Sequence, residues 1–141
     1  MQTFMKNLFY LLFVGSFLAS GVTFADDDTP LAEEMSEASG FLKELRRSKG
    51  DYPKCLELVR NAQKALLGCF AYSPALLEKM PEGKEKAMAM AKYKKTLAAS
   101  YQTLCDLEVA YLSEDIDKID DATDAVKKSR KSGHQEFIEE D

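Results

Sequence analysis

The sequence predicts an all-α protein, an antiparallel up-down-up-down four-helix bundle. Past its first residues the chain is rich in Ala, Leu, Lys and Glu and poor in Gly, a composition that favours helix. Four stretches repeat apolar residues at helical spacing. The prolines (Pro30, Pro53, Pro74 and Pro81) stand only at the edges of those stretches.

Helix 1 is expected from about Pro30 to Arg47. Leu31, Met35, Ala38, Leu42 and Leu45 follow one another at alternating steps of four and three, the seam of a helical bundle. Helix 2 is expected from about Pro53 to Ala71, with Leu56, Val59, Ala62, Leu66 and Phe70 inward; Pro30 and Pro53 suit a first turn, where no backbone donor is lost. Helix 3 is expected from about Lys84 to Leu112, its stripe drawn from Ala87, Met90, Ala91, Leu97, Ala98, Tyr101, Leu104 and Cys105. Helix 4 is expected to start at Ser113 as N-cap, with Ile116, Ile119, Thr123, Val126, Arg130, His134 and Phe137 on its buried stripe. Its acids crowd the start and its bases the end, as the helix dipole favours, so those charges need no partner. Short links join helices 1 and 2 and helices 3 and 4, which calls for antiparallel neighbours.

Residues 1–25 read as a secretory signal peptide: Lys6, an apolar run from Leu8 to Leu18, then Thr23 and Ala25 placed for cleavage before Asp26. Residues 26–141 then form one domain. Losing Lys6 takes the formal charge from −5 to −6. That balance and the lack of a large basic patch argue against nucleic acid. No second apolar run could span a bilayer, so a periplasmic protein without membrane attachment after cleavage is expected. Three cysteines (Cys55, Cys69 and Cys105) form no C-x-x-C pair. A Cys55–Cys105 bridge is one option and three buried thiols the other.

The one histidine, His134, falls near the end of helix 4, and Met35 falls at the matching depth near the start of helix 1. In an up-down bundle those helices are neighbours, so the two side chains converge at one end of the core, where the link from Tyr72 to Gly83 also lies. Imidazole opposite thioether is the ligand pair of an electron-transfer haem. Arg130, one turn before His134, needs a partner if it sits on the core stripe, and a haem propionate would be one. Gly133 costs about 1 kcal/mol against Ala in a helix, and a flat macrocycle against the backbone would account for it. The plain reading has Met35 as a core residue, His134 as a solvated one and Arg130 paired with Glu33 or Glu34. A soft-metal site from Met80, Met88, Met90 and His134 is a weaker option, because Met88 and Met90 point to different faces.

Leu31-Ala32-Glu33-Glu34-Met35 and Arg130-Lys131-Ser132-Gly133-His134-Gln135 resemble the two ends of the cytochrome b562 family. Its members are exported four-helix bundles that hold a non-covalent haem between an early methionine and a late histidine. The resemblance implies one haem b per chain, with Met35 and His134 as the iron ligands and Arg130 beside a propionate. It puts Tyr93 and Leu97 where the family packs aromatic rings on the haem; Leu97 keeps the bulk without the ring. Ile138 stands where a second basic residue is expected. Arg130 and Gly133 occupy the cysteine places of a C-x-x-C-H motif, so the related cytochrome c′ attachment is excluded. The function implied is electron carriage by a monomer to an unidentified periplasmic redox partner, without enzymatic activity. A haem-free bundle that binds some other ligand is the alternative.

Overall fold

A computed structural model describes residues 29–138. The leader expected over residues 1–25 lies outside the described residues. All regular structure among the described residues is helical: α1 (Pro30–Arg47), α2 (Tyr52–Gly68), α3 (Ala75–Glu78), α4 (Lys84–Leu112) and α5 (Ile116–Phe137). Four long helices pack together, and none is long and apolar enough to cross a membrane.

Each start has a local cause. Thr29 Oγ1 accepts from the Ala32 N–H at 3.1 Å, and Pro30 opens α1 without losing a donor. Asp51 Oδ1 accepts from Lys54 N–H to start α2 after a link in which Gly50 takes φ +95°. The end of α2 tightens into a 3₁₀ turn, Cys69–Ala71. Helix α5 begins later than the sequence suggested. Ser113 closes α4 instead, its hydroxyl donating to the Ala110 carbonyl at 2.8 Å. Glu114 then takes φ +54°, which breaks the helical path, and Asp115 caps α5 through Lys118 N–H.

Helix α1 packs on α2, α2 on α4, and α4 on α5, whereas α1 and α5 scarcely approach each other. Cross-helix pairs show the level of each helix against the next. Tyr52 stacks edge-on against Tyr111, with ring centres 5.9 Å apart. Buried Gln63 donates to the Leu104 carbonyl and, at 2.8 Å, to Glu108, which also receives Arg60 at 2.7 Å. The Tyr93 hydroxyl donates to the Cys69 carbonyl. Ser100 and Ser129 hydroxyls lie 2.7 Å apart, and the Tyr93 and Phe137 rings meet edge-on at 5.4 Å.

The core is built mainly by α2 and α4: Cys55, Leu58, Val59, Ala62 and Leu66 against Tyr93, Leu97, Leu104, Leu107 and Tyr111. Leu77 of α3 is buried into its end. Several expected stripe positions are corrected. Phe70 is exposed because it falls in the 3₁₀ turn, after the helical period has changed. Ala87, Ala91 and Ala98 are exposed, since the buried line of α4 runs through Tyr93, Leu97, Leu104, Leu107 and Tyr111. On α1 only Leu45 is fully buried, while Leu31, Met35, Ala38 and Leu42 are half-buried. That is what a helix packed mainly on one neighbour should show.

Candidate functional site

The end of the bundle that carries Met35 and His134 can be built up from its contacts. Glu34 lays its carboxylate over Gly68, where an added Cβ would come within 2.5 Å of Cδ. The next residue, Cys69, receives the Tyr93 hydroxyl on its carbonyl; Tyr93 in turn meets Phe137. A Cβ on Gly133 would meet Thr96 Cγ2 at 3.4 Å. The start of α1, the end of α2, the Tyr93 level of α4 and the end of α5 therefore share one level.

Within that level the expected residues separate into two groups. Tyr93 and Leu97 are buried, as is Phe137, which covers Tyr93. Met35 is half-buried against the core. His134 and Arg130 are exposed, which corrects their place on the buried stripe of α5. The stripe runs instead through Ile119, Val126 and Phe137, with half-buried Ser129 and Gly133 toward α4. One step of 100° along the helix takes His134 off that line to its flank. There Lys127, Arg130, Lys131, His134 and Gln135 line an open groove of about 380 Å³.

Partial burial and the nearby Arg130 charge hold the His134 pKa below its ordinary value. Its imidazole is therefore neutral at neutral pH, the form that ligates a metal. Arg130 makes no ion pair among the described residues. Glu34, one of its expected partners, turns to α2 instead. Gly133 faces Thr96 where α5 lies against α4, and the 3.4 Å an added Cβ would keep from Thr96 Cγ2 is an ordinary contact, so packing does not demand glycine there.

The remaining groups at this end are inert. Cys69 is buried and its thiol is pushed up to about 11 by burial and by Glu34. Tyr93 is held protonated by burial and by its proximity to Cys69. All three cysteines are free. Cys55 lies with Ser48 and Tyr111, and Cys105 lies beside Gln63, so the bridge between them fails on level. Cys105 is half-exposed, so three buried thiols are not found either. Met88 is exposed while Met80 and Met90 are half-buried, which leaves the soft-metal option without a common cavity. Among the described residues no group of three or more His, Cys, Asp and Glu could hold a metal ion.

Sequence reasoning missed the cover of Phe137 over Tyr93 and the seat of Glu34 on Gly68. Gly68 within an otherwise strong helix was the available signal for the second. No protein-family model, curated protein or solved structure matches this chain.

Proposed function

We propose that the chain is an exported b-type cytochrome of the periplasm, a member of the cytochrome b562 family that carries electrons. It would hold one non-covalent haem b with Met35 and His134 as iron ligands. The fold underlying this reading is an antiparallel up-down-up-down bundle. The pairings Tyr52–Tyr111, Gln63–Leu104 and Cys69–Tyr93 support it, as do Tyr93–Phe137 and Ser100–Ser129, for residue numbers rise along one helix as they fall along its neighbour. The observation that carries the proposal is that Met35 and His134 fall at one level of the fold, on two helices with few close approaches.

The donors fit the group in kind. Thioether sulfur and neutral imidazole are its usual donors, and a bound haem would supply reversible one-electron transfer at iron. Met35 and His134 would hold it from either side. Arg130, unpaired among the described residues, would meet a propionate on the solvent edge. Leu97 and Tyr93 would exclude water from the inner edge, Gly133 leaves the α5 backbone without a side chain there, and Thr96 of α4 lies against it. With Met35 and His134 both holding the iron, the protein would carry electrons and would not be an enzyme.

A second reading, a haem-free bundle that binds another ligand, is favoured by one observation: Phe137 already covers Tyr93, and His134 is turned to solvent. A haemin titration followed by absorption separates the two. Saturation at one haem per chain with low-spin bands, lost in Met35→Ala and His134→Ala, is the expected outcome. Unsaturable broad absorption like that of free haemin would establish the haem-free reading.

A further inference from the structure

The charges of the α4–α5 hairpin run against the helix dipole on one of its two helices. Helix α5 is acidic at its start and basic at its end, which its dipole favours. Helix α4 is the reverse: Lys84, Lys86, Lys92, Lys94 and Lys95 fall in its first half, Asp106 and Glu108 in its last turns. Because the end of α5 lies against Tyr93 and Thr96, the basic parts of both helices are side by side. Residues 84–99 and 127–138 together hold nine Lys and Arg against two Glu. The other end, residues 106–124, holds eight Asp and Glu against one lysine. Like charges are thus gathered within the monomer at both ends, though nothing in α4's own stability calls for it.

Local pairs relieve little of this. Lys86 pairs with Glu82, Lys127 reaches Asp124 at 3.0 Å, Lys118 reaches Asp115, and Glu108 takes Arg60. Lys92, Lys94, Lys95, Lys128 and Lys131, and Asp106, Asp117, Asp120 and Asp121, are exposed and in no ion pair among the described residues. Because Ser100 meets Ser129, Ala98 and Ala99 of α4 lie beside the lysines of α5, and the changeover between the two ends falls at exposed Gln102 of α4 and Ala125 of α5, both small or neutral. Apolar side chains stand out at both ends, Met88 at the basic one and Val109, Leu112 and Ile116 at the acidic one.

We infer that the α4–α5 face binds a second copy of this chain, antiparallel, with the basic end of each hairpin on the acidic end of the other. A two-fold axis at the changeover, near Gln102 and Ala125, sets each charged end on its opposite at once. The size is adequate. Two helices of some 22 residues side by side present about 33 Å by about 20 Å, near the ~800 Å² per partner of a standard interface. An unrelated anionic partner would relieve only one end. This departs from the monomer expected from the sequence, because the gathering of like charges is visible only once α4 and α5 lie together. It does not depend on haem.

Sedimentation velocity tests it. The protein should sediment as a dimer at about 10 mM salt and as a monomer at about 1 M, where the screening length falls from about 30 Å to about 3 Å. A basic-end variant (Lys92→Glu, Lys95→Glu, Lys128→Glu, Lys131→Glu) and an acidic-end variant (Asp106→Lys, Asp117→Lys, Asp120→Lys, Asp121→Lys) should each be a monomer with unchanged helical circular dichroism. Mixed in equal amounts they should dimerise, since each variant then presents two like ends to the other. A wild-type monomer at low salt would overturn the inference. So would a dimer indifferent to salt, or folded variants that fail to pair on mixing.

Discussion

At the scale of single residues, His134 and Gly133 decide most. The lowered pKa of His134 gives the apo protein a pH dependence of known sign. Unfolded, the ring titrates near its ordinary value of 6.5. Folded, it resists protonation, so its contribution is present above about 6.5 and lost as pH falls below it. Urea unfolding between pH 7.5 and 5 should show this acid-side slope, and His134→Gln should flatten it. At the alkaline side Cys69 acts in the other direction. Its thiol is raised from 9.0 to about 11, so stability should fall as pH rises through that window. A thiol reagent at pH 8 should label Cys105 quickly and Cys55 and Cys69 only at the rate of opening. Gly133→Ala should stabilise the apo protein by about 0.5–1 kcal/mol, since the new methyl meets only Thr96 at ordinary contact distance. Thermal melting measures it, and a lowered melting temperature would show that α4 and α5 lie closer than described.

At the scale of elements, the long helices were legible because each carried its own punctuation. Thr29-Pro30 and the Gly83-to-Leu112 run fix α1 and α4 at the expected bounds. The start of α5 was not legible: Ser113, Glu114 and Asp115 all suit a first turn, and only the left-handed backbone of Glu114 decides between them. Asp115→Ala should therefore cost about 1 kcal/mol and Ser113→Ala distinctly less, as measured by chemical denaturation. Equal losses would restore Ser113 as the cap. Stripe membership was only partly legible, for a period near 3.6 leaves an uncertainty of one residue in which face is buried. That one-residue step moved the buried line of α5 from Arg130 and His134 to Ser129 and Gly133, while Phe137 is buried as expected. It also hid the contact in which Phe137 closes over Tyr93. Phe137→Ala should destabilise the apo protein by about 3 kcal/mol, the low end for a buried ring because it sits in the last turn.

At the scale of the whole molecule, the arrangement is a chain of pairwise packings from α1 to α2 to α4 to α5, with few close approaches between its first and last helices. A cofactor held between Met35 and His134 would tie α1 to α5, so binding and folding would be linked. The proposed pairing of two copies uses the outer face of α4 and α5, whose basic end reaches Lys131 at the rim of the His134 groove. The most direct measurement of the central claim is a haemin titration of the purified protein, read by absorption in the oxidised and reduced states beside Met35→Ala and His134→Ala. One haem per chain, sharp low-spin bands in the wild type, and loss of those bands in either variant are expected. Wild-type spectra retained in both variants, or no saturable binding at all, would contradict it.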